Sequence, residues 1–166
     1  MTPAWVFLAL LAAERMVEVA LARRNERIVR ALGAVETGAA LTAVITAFHA
    51  AWFLAFAAEI LLRRPEPPLG PVPPFAALLI LQAARYRCIA ALGARWNIKV
   101  LTVPGLPPVT SGPYRFLRHP NYVVVALETA LYPALLGCFL TALLATPANL
   151  LLLRARIRQE DRALGR

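Results

Sequence analysis

GAALTAVITAFHAAWFLAFAAEILL, residues 38–62, is the stretch that decides how this chain is read. Its one ionisable carboxylate, Glu59, sits near its end, and it contains no lysine or arginine. A run of this length crosses a hydrocarbon core of about 30 Å with some tilt. Hydrophobic residues make up 60% of the chain, against roughly 45–50% in soluble domains. The expectation is an all-α integral membrane protein of about five transmembrane helices, forming one domain over residues 1–166. Inside the run stand His49 and Trp52. A lone histidine on such a helix reads first as a hydrogen-bonded structural residue and second as a functional one.

On the N-terminal side, residues 2–22 form a first span, with Thr2-Pro3 as a helix start. No basic region precedes it and no A-x-A pattern follows, so a retained helix is expected rather than a signal peptide. Glu14, Arg15 and Glu18 interrupt its second half. An ionisable group at the bilayer centre costs roughly 2.5–3.5 kcal/mol on insertion scales. These three must therefore pair, face other helices, or lie near the interface. Glu14 and Glu18 share a helix face. Two readings stand: a polar cluster with Arg15 or a later arginine, and a wall of a ligand cavity. Arg23, Arg24, Arg27 and Arg30 follow at once in a basic connector ending near Gly33. By the positive-inside rule they mark the cytoplasmic side. The N-terminus is then outside, in what is expected to be a bacterial inner membrane.

On the C-terminal side, Arg63-Arg64 oppose that orientation but are outnumbered. Pro65 to Pro74 cannot be helix and reads as an exposed turn. Phe75 to Leu92 forms a third span, with Gly93 as its cap and Arg85 deep enough to face a polar cavity or snorkel. Asn97 to Pro120 is a cytoplasmic loop whose Ile98, Val100, Leu101 and Val103 have extended character. Asn121 to Leu136, with Glu128 inside, is a fourth span. Phe139 to Leu153, with Pro147, is a short fifth, and the two form a helical hairpin. The tail from Arg154 to Arg166 is basic and amphipathic, on the same side as the loop.

The formal net charge is +9. In a soluble chain that would raise nucleic acid as a partner, but here the cations border apolar runs, so no nucleic-acid partner is expected. Cys88 and Cys138 lie inside apolar segments and read as small buried hydrophobes. No Cys/His cluster implies a metal. With no Gly-x-Gly-x-x-Gly segment and no alternating βα pattern, a soluble doubly wound α/β fold is excluded.

Two segments on the loop side are rich in chemistry: GPYRFLRHPNY at 112–122 and RIRQEDRAL at 156–164. Each alone has a bland reading. The loop arginines can anchor anionic lipid, and Arg156 with Glu160 can be a surface salt bridge worth a few tenths of a kcal/mol. Together they are more specific. The pair resembles the G-x-Y-R-x-x-R-H-P-x-Y loop and R-x-x-x-E-[ED]-x-x-L tail of the isoprenylcysteine carboxyl methyltransferase family, with Asp161 as a mild departure. ARYRCIAALGARWNIKV at 84–100 and ERMVEVALARRN at 14–25 extend the resemblance. The latter is similar to a bacterial subgroup that methylates alkylpyrone-like products.

The resemblance implies a membrane O-methyltransferase using S-adenosylmethionine, with its motif-bearing catalytic part at about residues 94–166 and a cytosolic cofactor pocket. It also implies a lipophilic or prenylated substrate arriving from the lipid bilayer. Carried over by position, Tyr114, His119, Pro120, Asn121 and Tyr122 line the cofactor, and Leu106 to Val109 add backbone contacts. Glu160 holds a polar group of the cofactor, and Arg156 holds the substrate's reacting oxygen. Those residue types suit the task independently. Aromatic faces attract a sulfonium, and a carboxylate suits an ammonium. Arginine orients an oxyanion through charge-assisted hydrogen bonds. A carboxylate acceptor needs no base. A phenolic one does, and His119 or Glu160 would be the candidates, although His119 fits a cofactor contact better. A prenylcysteine carboxylate, an alkylpyrone or alkylresorcinol hydroxyl, and a phospholipid amine stand as acceptors. The reading from another class is a non-enzymatic transporter or scaffold that binds anionic lipid.

Overall fold

A computed structural model describes residues 2–165. Met1 and Arg166, the ends of the expected domain and tail, lie outside the described residues. Among the described residues five α-helices make up the fold: α1 (Pro3–Ala31), α2 (Ala39–Arg63), α3 (Val72–Leu92), α4 (Pro120–Leu135) and α5 (Phe139–Ala163). Three of them, α2, α3 with its 3-10 extension, and α5, are long and apolar enough to cross a membrane. With 16 residues, α4 is about 24 Å long at 1.5 Å per residue, shorter than a hydrocarbon core.

The expected elements recur with three changes. The basic connector is not separate: α1 runs unbroken through it to Ala31. Likewise the fifth span and the tail are one helix, α5. The shift to arginine at Arg154 is a change of surroundings, not of backbone. Finally, the proline-rich turn is shorter than its composition implied. Pro73 and Pro74 occupy the first turn of α3, where a missing N–H costs nothing. The helical architecture also carries a small ribbon. Strand β1 (Val35–Thr37) pairs antiparallel with β2 (Val100–Thr102), Glu36 opposite Leu101. The extended character of Val100 and Leu101 has its partner there.

The ends of the bundle differ. At the end bearing the Pro65 turn, apolar packing dominates. Phe7 meets Phe75 and Tyr132 edge-on, with ring centroids 5.6 and 5.2 Å away. Leu11, Trp52, Phe56, Leu78 and Leu136 complete that core. Here α4 turns into α5 through Gly137 at φ 79°, where an added Cβ would lie 2.8 Å from the Glu66 carbonyl oxygen. Glu59 of α2 closes the N-terminus of α5. Its carboxylate accepts from the Leu140 and Thr141 amides at 3.1 and 2.7 Å and from the Thr141 hydroxyl at 2.6 Å. It thus satisfies donors that the helix start leaves open and opposes the helix dipole.

The opposite end holds the motif loop. Asn25 of α1 donates to the Trp96 carbonyl at 2.9 Å, Asn97 donates to the Ala22 carbonyl at 3.0 Å, and Lys99 reaches Glu26 at 2.7 Å. These bonds fix the segment after α3 against the basic end of α1.

Between the ends lies a buried ionic cluster. Arg85 binds Glu18 through Nε and Nη2, the latter at 2.8 Å, and Glu128 through Nη1 at 3.1 Å. Arg15 adds bonds to Glu18 at 2.9 Å and Glu128 at 3.0 Å. Glu14 contacts its neighbour Arg15 at 2.8 Å, and its carboxylate oxygens have no hydrogen-bond partner among the described residues, whereas Arg15, Glu18, Arg85 and Glu128 are paired across α1, α3 and α4. Such pairing is required of charges buried this deeply.

Candidate functional site

His119 immediately precedes α4, and Pro120 opens the helix. Tyr122 follows one turn later, so the two rings share a face. They stack with centroids 5.5 Å apart and planes at 18°. From α5, Arg156 and Glu160 also share a face. They do not form the direct surface salt bridge that their spacing permits. Arg156 is 5% exposed, and the Tyr122 hydroxyl stands between the pair. That hydroxyl donates to Glu160 Oε2 at 2.5 Å and accepts from Arg156 Nε at 3.3 Å. Two further guanidinium N–H groups go to the Thr42 hydroxyl at 2.7 Å and to the Ile98 carbonyl. One arginine therefore ties α5 to α2, α4 and the segment before β2. A buried guanidinium needs this degree of satisfaction.

His119 is also engaged. Its Nε2 lies 3.0 Å from Asp161 Oδ1, and its Nδ1 lies 3.7 Å from Glu160 Oε2. With each ring nitrogen facing a carboxylate, the imidazole is fixed in orientation between Asp161 and Glu160. Tyr114 enters from the loop. Burial, reinforced by Cys88 and Glu160, pushes its phenol well above the usual range, so it stays protonated and presents a neutral ring.

These groups bound one cavity of about 370 Å³. Val109, Tyr114, His119, Asn121, Tyr122, Arg156 and Glu160 all line it. Two expected residues do not. Leu106 is 48% exposed, and Pro120 is buried behind the start of α4. On α4 the lining runs from His119 to Tyr132, which makes the cavity about 20 Å long at 1.5 Å per residue. Its outer half is walled by the loop and α5. Its inner half reaches Arg15, Glu18, Arg85 and Glu128. Glu18 and Arg15 are paired and also form part of the cavity wall, while Glu14 does not line it.

Sequence reasoning gave Asp161, Thr42 and the Ile98 carbonyl no role. The acidic pair Glu160-Asp161 was visible. Which partner each would take depends on the docking of α5 against α4, and spacing does not encode that. The donor set of the outer half fits an ammonium-bearing, nucleoside-like group. Glu160 supplies a carboxylate, and the buried Asn121 Oδ1 and Trp96 Nε1 have no protein partner among the described residues. Unpaired buried polar atoms are costly, and a ligand can complete them.

With this geometry in view, comparison with known proteins decides the family. The model of the isoprenylcysteine carboxyl methyltransferase (ICMT) family matches residues 75–166, more than half of the chain. The chain belongs to the ICMT family. The match begins in α3 and takes in the motif loop, α4 and α5, which supply the outer half of the cavity. Family membership and the three apolar helices make this a membrane protein of a methyltransferase family. An uncharacterized Bacillus subtilis protein, YpbQ, is 41% identical over 160 residues, covering 96% of this chain and 95% of its own length. An uncharacterized protein of Haemophilus influenzae is 27% identical over 165 residues, covering 95% and 92%. No solved structure matches the chain.

Proposed function

We propose that this protein is an S-adenosylmethionine-dependent O-methyltransferase embedded in the bacterial inner membrane, acting on a lipophilic acceptor. The observation that carries this reading is the cavity itself. It joins the Arg156–Tyr122–Glu160 arrangement at its outer end to a chamber between the helices at its inner end. When bound, S-adenosylmethionine supplies an electrophilic methyl group on a sulfonium. Tyr114 and Tyr122 offer ring faces to that cation, an attraction of roughly 0.5–2 kcal/mol each. Glu160 and Asn121 take the ammonium or amine, and His119 holds the lower edge of the site through Asp161. Val109 and Leu106 contribute backbone to the loop that folds over it, and Pro120 sets the start of α4. Arg156 orients the acceptor oxygen.

Alignment is the main service such a site performs, and it can contribute several kcal/mol to the barrier. Five crossings, with the N-terminus outside and the cavity mouth toward the cytoplasm, agree with the arginines of α1 and α5. The whole chain is one domain, and residues from about 94 onward carry most of the cofactor contacts.

S-adenosylhomocysteine binding to purified, detergent-solubilised protein tests the reading by calorimetry. Binding by the unsubstituted protein, lost on Glu160→Ala, is the expected result. Folded protein that shows no binding refutes it.

A further inference from the structure

The inner half of the cavity contains a histidine for which methyl-donor binding has no use. His49, near the middle of α2, lines the cavity together with Trp52 one turn further on. Its Nδ1 lies 2.8 Å from the Ile45 carbonyl oxygen. A carbonyl can only accept, so Nδ1 carries the hydrogen. In the neutral ring, Nε2 is then a bare lone pair. Phe48 packs edge-on against the imidazole at 5.3 Å and limits its rotation. Trp52 is 6% exposed, and its indole N–H has no partner among the described residues. Residues three apart on a helix are neighbours on one face. His49 and Trp52 thus stand on one face of α2 beside the chamber, the first with a free lone pair and the second with an N–H that has no partner among the described residues.

That pair discriminates between acceptors. A carboxylate has oxygens that accept and nothing to donate, so it leaves the His49 lone pair opposed by another lone pair. A hydroxyl has the missing hydrogen, and a neighbouring oxygen on the same molecule can take the Trp52 N–H. The other charged and titratable groups facing the chamber are Arg15 and Glu18 of α1, Arg85 of α3, Glu128 and Tyr132 of α4, and Arg156 of α5. The two carboxylates are held by Arg15 and Arg85, the Tyr132 hydroxyl leans on Glu128, and Arg156, with three of its N–H donors on Thr42, Tyr122 and Ile98, can only donate and takes no proton. Of the two histidines, His119 is already placed between Asp161 and Glu160.

We infer that His49 Nε2 receives the proton of a hydroxyl acceptor, a lipophilic phenol or enol with an adjacent oxygen. This rests on reading the cavity as a methyl-transfer site. As the new O–CH3 bond forms, the S–CH3 bond breaks and its electron pair stays on sulfur as a neutral thioether. The O–H electron pair remains on the acceptor oxygen, and the proton passes to the imidazole. The imidazolium then returns it to water once product leaves.

The test uses detergent-solubilised full-length protein, labelled S-adenosylmethionine, and two acceptors: a long-chain alkylresorcinol and a farnesylcysteine carboxylate. The alkylresorcinol should be methylated, with a rate that falls on the acid side as the imidazole protonates. His49→Gln should lower kcat on it about 100-fold, the lower range for a general base. S-adenosylhomocysteine affinity should stay within about twofold of the parent on the same reasoning, because His49 lies outside the outer half. A more acidic phenol, already ionised at the assay pH, should be nearly indifferent to the substitution.

Methylation confined to the farnesylcysteine carboxylate, or of neither acceptor, overturns the inference. So does unchanged turnover of alkylresorcinol by His49→Gln. If that variant does not fold, a flat acid limb in the unsubstituted protein overturns it equally. Absence of S-adenosylhomocysteine binding in the unsubstituted protein refutes the methyl-transfer reading and this inference with it, whereas binding together with any of the other failures refutes this inference alone.

Discussion

Replacing Tyr122 by phenylalanine removes one oxygen atom and keeps the ring. The structure gives that oxygen a definite task. Arg156 and Glu160 are one turn apart on α5, and without a hydroxyl between them they can collapse into the direct ion pair that their spacing allows. Such a pair would withdraw the carboxylate from the cofactor and the guanidinium from the acceptor. The hydroxyl's bond to Glu160 at 2.5 Å is short and charge-assisted, while its bond from Arg156 at 3.3 Å is long. A hydrogen bond to a charged group contributes about 1.5–3 kcal/mol. The Glu160 side chain is 30% exposed, so water replaces part of the loss. A net cost of about 1–2 kcal/mol remains, which is a factor of about 5–30 in an equilibrium constant. S-adenosylhomocysteine titration by calorimetry should show the Kd of Tyr122→Phe weakened by that factor, with little change in the thermal midpoint. An unchanged Kd in a folded variant would show that the hydroxyl does not keep the two charges apart.

The ionic cluster makes a prediction about stability. Arg85→Leu leaves Glu18 and Glu128 facing each other with only Arg15 between them, a loss of about 3–5 kcal/mol for a buried pair broken on one side. Thermal unfolding in detergent should show a large fall, and the triple change Glu18→Gln, Arg85→Gln, Glu128→Gln should recover part of it. A single variant as stable as the parent would mean that the cluster is solvated. A second prediction concerns acid. Hydrogen bonds from Lys99 and then Arg30 hold the Glu26 carboxyl below its usual range. Its contribution is complete above the ordinary carboxylate value and is lost as pH falls through the lower, folded value. Amide exchange in residues 93–102, which Lys99 ties to α1, should quicken in that acidic window. Glu26→Gln should already exchange fast at neutral pH and lose the acid step.

The long apolar helices were legible because their composition answers to lipid rather than to any particular neighbour. For the same reason the sequence overstated one boundary. At Arg154 the surroundings change from apolar to charged, and a hydropathy reading ends the span there while the backbone of α5 continues. The ribbon was only half legible. Val100 and Leu101 have strand character, but β1 is a three-residue segment between two long helices, and its partner lies more than sixty residues away. At the site, His119, Tyr122, Arg156 and Glu160 could be named from two motifs. The contacts that give them meaning cross elements: Tyr122 between Arg156 and Glu160, Asp161 on His119, Thr42 on Arg156. Each depends on how α5 settles against α4 and α2, and no local pattern records it. His49 shows the opposite difficulty. Its residue type was visible, but only the carbonyl on Nδ1 fixes which nitrogen remains free.

That α5 is a single helix has a consequence for how sequence changes propagate. Arg156 and Glu160 have their angular position set by every residue that precedes them in the same helix. Inserting one residue between Phe139 and Leu153 would rotate both side chains by about 100° and shift them by about 1.5 Å. They would leave Tyr122 without either touching it or altering a single motif letter. An insertion of seven residues would bring them back to within about 20° of their original phase, displaced by about two turns. The apolar half of α5 therefore acts as a register, and its length is constrained as tightly as the identity of the residues it carries.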